Sequence, residues 1–352
     1  LAGRGSQRGP RSEAEEVTDV SELLLEVDEL KVEFATRDGV ARAVNGVSFT
    51  LDRGQTIAIL GESGSGKSVT AQAIMGILDT PPARISGGSV KLLGKELIGL
   101  PEKEYQQIRG NQIAMIFQDA LSALNPVISI GEQISEMFRV HKGLNRSDAK
   151  TATIDVLKRV RIPGAAERYD NYPHQFSGGM RQRIMIAMMI ALKPLVLIAD
   201  EPTTALDVTV QAQIMDLLAE LQAETNMGLI LITHDLGVVA DVVERISVMY
   251  SVFTINGTAI NEIYTNTANP YTYALLQSIP KIDNREVRLP AIKGMPPSLF
   301  SVPPGCAFNP RCPRAEDRCR TGGPPPLMDV APDHGSRCWF AEEVYEHGLD
   351  LD

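Results

Sequence analysis

Residues 61 to 68 read Gly-Glu-Ser-Gly-Ser-Gly-Lys-Ser, the spacing G-x-x-x-x-G-K-[ST]. Small residues let successive backbone N–H groups close around phosphate oxygens, and a helix opening behind them adds its positive N-terminal end. In such a loop Lys67 supplies charge to the β- and γ-phosphates and Ser68 a hydroxyl to Mg²⁺. The context agrees: residues 55–60 read as a buried strand entering the loop and residues 69–78 as an apolar-rich helix leaving it. A glycine-rich turn that merely redirected the chain would not need Lys and Ser at those two positions. Further along, the apolar run 195–199 has the composition of a strand buried on both faces, so Asp200 and Glu201 emerge at its end. Asp200 is placed to hold Mg²⁺ directly or through water, and Glu201 to orient and deprotonate an attacking water. Ser177, Gly178 and Gly179 open a helix expected over residues 180–192, whose N-terminal dipole can face a γ-phosphate held by another subunit. Together these residues imply that the chain binds and hydrolyses ATP as half of a dimer.

On these motifs the chain resembles the nucleotide-binding subunit of an ATP-binding cassette (ABC) transporter. Ser177-Gly178-Gly179-Met180 is similar to that family's signature, with Met180 where a glutamine is usual. The resemblance implies a Q-loop glutamine at Gln118, a D-loop aspartate at Asp207 and a switch histidine at His234, and these occur in the expected order. It also implies nucleotide contacts from Gly61, Ser63, Gly64, Ser65, Gly66, Lys67, Ser68 and Val69, with Gln118 joining Ser68 and Asp200 around Mg²⁺. Phe34 sits where the family places an aromatic for stacking on adenine, the alternative being a core position.

The implied fold is an α/β P-loop ATPase core, a mainly parallel sheet with an antiparallel β subdomain, carrying a helical subdomain and a small cysteine-containing C-terminal extension. From about Leu23 to Phe49, alternating apolar residues (Leu23, Leu25, Val27, then Val32 and Phe34) suggest antiparallel strands, with a hairpin signalled at Arg37-Asp38-Gly39. Helical spacing at 130–140 and 146–160, with Ser147 and Asp148 as capping candidates, places the helical subdomain near 120–190. A further amphipathic helix is expected at 211–225 and a buried strand at 227–233. The expected organisation is a disordered tail at 1–22, a cassette at 23–265 and an extension at 266–352.

With 43% hydrophobic and 22% charged residues, the 352-residue chain can bury a large core. No apolar run approaches the roughly 18 residues a membrane span requires, since the run 184–192 stops at Lys193-Pro194. A transport pathway must then lie in other subunits. A net charge of −10 argues against a nucleic-acid partner, which demands a basic face. An excision-repair ATPase would need a second cassette and a basic DNA surface, and a translation-factor ATPase would need two cassettes in one chain.

All four cysteines, Cys306, Cys312, Cys319 and Cys338, fall in the Pro-rich C-terminal region. Four cysteines in a loop-rich segment suggest disulfides or a metal site, and a chain working on cytosolic ATP favours metal. Four thiolates suit tetrahedral Zn²⁺ or an iron–sulfur cluster, although the spacing lacks the paired C-x-x-C of common zinc modules. The stretch 305–313, Cys338-Trp339, Asn269-Pro270-Tyr271-Thr272 and Pro296-Pro297-Ser298-Leu299 are similar to the C-terminal extension of oligopeptide/dipeptide importer ATPases. That resemblance implies a [4Fe-4S] cluster on the four cysteines, with zinc as the alternative. It further implies a second cassette, a paralogue, two membrane permease subunits, an external peptide-binding protein and a place on the cytoplasmic membrane face. A nickel or other small-solute importer is the runner-up. One departure is 251–257, SVFTING, where the subfamily has an Ala-Gly-Arg turn.

Overall fold

The computed structural model of the protein describes residues 22–278 and 292–349, apart from 205, 236 and 238–241. Of the expected N-terminal tail only Glu22 is among them, ion-paired at 2.6 Å to Arg53. Strands β1 (Leu23–Thr36) and β2 (Gly39–Asp52) pair antiparallel about the expected turn, Thr36 lying opposite Gly39. Strand β3 (Thr56–Leu60) enters a second sheet, while β4 (Ala83–Leu92) and β5 (Lys95–Glu96) return to the first, giving the order β2-β1-β4-β5.

The second sheet is built from β6 (Ile113–Ile116), β7 (Val196–Asp200), β8 (Gly228–Thr233) and β9 (Arg245–Tyr250), all parallel with β3, in the order β9-β3-β8-β7-β6. Strand alternation assigns its two faces. Ile57, Ile59, Val196, Ile198, Ile230 and Ile232 pack toward Leu25, Leu30 and Val90 of the antiparallel sheet. Ala58, Leu60, Leu197, Ala199, Leu229 and Leu231 pack on the opposite side, against helical and C-terminal residues. Because both faces are covered, these strands read as unbroken apolar runs.

Helices Ile130–Lys142, Arg146–Arg159 and Gly178–Ile190 form the helical subdomain, and Ile134, Phe138, Leu157 and Ile184 join the second core. The expected caps at Ser147 and Asp148 are corrected by the structure. Asn145 is the N-cap, accepting from the Asp148 N–H at 3.0 Å, and its amide donates to the Asp148 carboxylate at 2.8 Å. A residue in the first turn cannot cap that turn, because its own backbone is already helical.

The C-terminal region continues the second sheet. Strand β10 (Phe253–Ala259) pairs antiparallel with β9 and with β12 (His334–Ser336), and β11 (Met328–Ala331) closes that edge. Three rings fasten the extension underneath: Tyr250 of β9 lies 4.5 Å from Tyr271 and 5.1 Å from Phe308, centroid to centroid. Such pairs contribute about 0.5–1.5 kcal/mol beyond their buried area. At the departure noted above, Ser251 and Val252 make a two-residue hairpin with φ of 44° and 72°. A β-branched residue in the left-handed region is strained, and Val252 is held there fully buried, its carbonyl accepting from the Asn45 N–H at 2.8 Å.

Replacing Asn145 with Ala should cost about 1 kcal/mol, whereas Ser147→Ala should stay within about 0.5 kcal/mol of the parent. Urea unfolding followed by circular dichroism separates the two, and equal losses would refute the cap assignment.

Candidate active site

The phosphate loop leaves β3 and runs into the helix Lys67–Met75. Gly66 takes φ +99°, and a side chain there would meet the Ala43 carbonyl oxygen at 2.3 Å, so only glycine lets the loop turn this close to β2. No acidic residue stands in the first turn of the helix, which leaves its positive end uncompensated. The Lys67 amine is 5% exposed and donates to the carbonyls of Gly61 at 2.8 Å and Glu62 at 3.1 Å. Burial pulls its pKa down, while the carboxylates of Glu201, Asp200 and Glu62 oppose that shift. The ammonium is thus desolvated and aimed into the loop.

Asp200 ends β7, buried, and accepts from the Ser68 hydroxyl at 3.0 Å. Burial pushes its carboxyl above the ordinary range, against the pull of Ser68. A hydroxyl and a carboxylate side by side are hard oxygen donors that fit Mg²⁺. Glu201 follows with φ 45°, a strained conformation for a non-glycine residue, fixed by its N–H donating to the Ile232 carbonyl at 2.8 Å. Its carboxylate accepts from Gln118 at 3.0 Å and from Thr204 at 2.9 Å, and lies 3.3 Å from His234 Nδ1. Three side chains from three separate segments therefore orient one carboxylate.

Gly61, Ser63, Gly64, Gly66, Lys67, Ser68, Val69, Gln118, Glu201 and His234 line one cavity of about 590 Å³, within the range of nucleotide-sized sites. Glu62 and Leu275 line it too, and neither they nor Thr204 stood out in the sequence. Thr204 was within reach of inspection, three residues after Glu201, whereas Leu275 arrives from a distant helix. Ser65 is buried behind the loop with its hydroxyl facing Gly61. Phe34 is not in this lining; it packs, half-buried, on the core under the antiparallel sheet.

The signature residues stand elsewhere. Ser177 caps the helix Gly178–Ile190, accepting from the Met180 N–H at 3.4 Å, and Ser177 and Gly178 are exposed. Asp207 caps the helix Val208–Thr225, accepting from the Val210 N–H at 3.0 Å. The two helix starts touch, since a side chain on Gly179 would meet Val210 at 2.8 Å. Gln182 ties the signature helix to the catalytic strand end by donating to the Pro202 carbonyl at 2.7 Å.

The four cysteines line a second, small cavity of about 30 Å³. All four are free, so the disulfide alternative does not apply. Burial pushes Cys312 up to about 11 and Cys338 up to about 12, and moves Cys306 the same way, with neighbouring thiols adding to each. Among the described residues no three His, Cys, Asp or Glu side chains stand as a set able to hold a metal ion. Four soft sulfur donors around one shielded cavity still match in kind the donor set of an iron–sulfur cluster.

A mixed sheet with a phosphate loop, a strand-end Asp-Glu pair and a separate serine-glycine helix tip defines an ABC-type ATPase. Residues 44–204 match the ABC transporter family, and residues 258–319 match the oligopeptide/dipeptide transporter C-terminal region. The chain is 48% identical over 317 residues to the oligopeptide transport ATP-binding protein OppD of Salmonella typhimurium, covering 90% of this chain and 93% of that protein. It is 46% identical over 328 residues to the dipeptide transport ATP-binding protein DppD of Bacillus subtilis, covering 93% and 98%. Among solved structures, the dimeric ABC transporter cassette MJ0796 superposes with a TM-score of 0.61 at 24% identity over 67% of this chain and 99% of its own, a likeness of fold. cbiO1 from Clostridium perfringens gives 0.58 at 29% identity over 69% and 91%. The chain belongs to the ABC transporter ATP-binding proteins of the oligopeptide/dipeptide group.

Asp200→Asn should stabilise the nucleotide-free protein at neutral pH. The folded chain holds the Asp200 proton to higher pH than the unfolded chain, whose value is the ordinary 3.8, so wild-type stability falls as pH rises through that window. Thermal unfolding should show the variant's advantage at neutral pH and its disappearance below pH 3.8; an advantage that grows in acid would contradict the assignment.

Proposed function

We propose that this chain powers the import of di- or oligopeptides through membrane permease subunits, working with a second cassette that is a paralogue. The observation that carries this reading is the C-terminal match at residues 258–319, beyond the cassette common to all ABC transporters. Among the described residues no helix is long and apolar enough to cross a membrane, which supports assigning the pathway to partner subunits. The chain sits at the cytoplasmic membrane face, and peptide arrives from an external binding protein.

Two cassettes close head to tail around ATP. Lys67 and the loop N–H groups of one subunit hold the phosphates, and Ser177 and Gly179 of its partner cap the γ-phosphate from across the boundary. Ser68, Asp200 and Gln118 would hold Mg²⁺, whose chemistry is to neutralise charge on the β- and γ-phosphates. Glu201, oriented by Gln118, Thr204 and His234, takes the proton of the attacking water. His234 then turns toward the γ-phosphate. Asp207 steadies the contact between the two helix starts, and Phe34 reaches adenine only if β1 shifts on closure. Closure is passed to the permeases through the segment after Gln118, residues 119–127, where Leu121 and Val127 are exposed apolar side chains. Cys306, Cys312, Cys319 and Cys338 would hold a [4Fe-4S] cluster, with zinc as the alternative.

In the assembled transporter with an intact partner cassette, Glu201→Gln should lower this site's turnover about 10²- to 10⁴-fold while ATP still binds; unchanged turnover would refute the role. Uptake of labelled peptide into vesicles carrying the assembly should require ATP and Lys67, and ATP-driven uptake of nickel in place of peptide would overturn the substrate. Iron and sulfide analysis with visible absorption of the purified protein should show the cluster, and zinc alone would exclude it.

A further inference from the structure

The phosphate loop contains one acidic residue, Glu62, and it lines the nucleotide cavity. A carboxylate there would face the phosphates of ATP and repel them. The described structure answers that charge from the far end of the chain. Arg311, between Cys306 and Cys312, grips Glu62 with both guanidinium nitrogens, Nη1 to Oε2 at 2.7 Å and Nη2 to Oε1 at 2.9 Å. Its side chain is 4% exposed and that of Glu62 26%, so the arginine end of the pair is desolvated while the carboxylate end meets the cavity.

Arg311 is itself held on every side. Its Nε donates to the Lys293 carbonyl at 3.1 Å, its Nη1 also reaches the Tyr250 hydroxyl at 3.2 Å, and its guanidinium lies over the Tyr250 and Phe308 rings. Glu62 in turn bridges two systems. Its N–H donates to the Tyr271 hydroxyl at 3.1 Å, and its carbonyl accepts from the Lys67 amine and from the Ser65 N–H. The loop residue that helps aim Lys67 is therefore pinned by two residues of the extension. A bidentate arginine fixes direction as well as charge, which a lysine in its place would not.

We propose that Arg311 is a positioning residue for ATP binding, which neutralises Glu62 and fixes the phosphate loop, so that the C-terminal extension is part of the nucleotide site. The inference rests on the ATPase reading of that site. The backbone N–H of Arg311 donates to the Phe308 carbonyl at 2.9 Å, which fixes where the side chain starts.

The test is titration of the full chain with a fluorescent ATP analogue, each variant first checked for cooperative thermal unfolding. Arg311→Gln should weaken binding about tenfold, the equivalent of about 1.4 kcal/mol. Arg311→Lys should fall between it and the parent. Adding Glu62→Gln to Arg311→Gln should recover most of the loss, a coupling expected of residues in direct contact and not of a residue that only supports the fold. Parent-like affinity in Arg311→Gln, or no recovery in the double variant, overturns the proposal. Lys67→Ala in the same titration keeps the two readings apart: if it too binds like the parent, the ATP site itself is misassigned.

Discussion

A desolvated ammonium among three carboxylates is the interaction on which the rest of this structure depends. Lys67 is buried beside Asp200, Glu201 and Glu62, each of which opposes the fall in its pKa. Such an array is costly when its charges lack partners, and the fold supplies them. The loop carbonyls take the amine, Ser68 takes Asp200, and Gln118 and Thr204 take Glu201. Each partner comes from the loop that follows a parallel strand or from the first turn of the helix after it. That is why five parallel strands covered on both faces are needed to hold a few polar atoms in register.

The residues of this site were legible in the sequence because phosphate chemistry restricts them locally. Only glycine fits at Gly66, a charge must follow it, and a buried apolar strand must precede Asp200-Glu201. The parallel core was legible for the same reason, its strands being apolar on both faces. What was not legible depends on long-range contact. Nothing near residue 311 indicates a partner 249 positions earlier, and nothing in β12 indicates that it would pair with β10 rather than stand in a separate extension. Leu275 reaches the nucleotide cavity by the same docking. The missed cap at Asn145 is a smaller case, where Asn145, Ser147 and Asp148 compete within four positions and only the backbone conformation decides.

The placement of the signature tip bears on the account most heavily. Ser177 and Gly178 are exposed at a helix start, packed through Gly179 against Val210 in the first turn of the next helix, and absent from the lining of the cavity that holds Lys67. A helix start presents backbone N–H groups suited to an anion. Under the proposed head-to-tail closure that anion would be ATP held by a second cassette, and the same operation would bring the partner's tip to this chain's own cavity.

The most direct measurement is the rate of ATP hydrolysis by the assembled transporter with the serine of this tip, Ser177 in the present chain, changed to arginine in both cassettes. The account predicts a fall of about 10²-fold or more, the scale seen when a donor to transition-state charge is removed, with nucleotide still bound by the loop. Hydrolysis at the parent rate would mean that each cassette completes its site alone, and would contradict it.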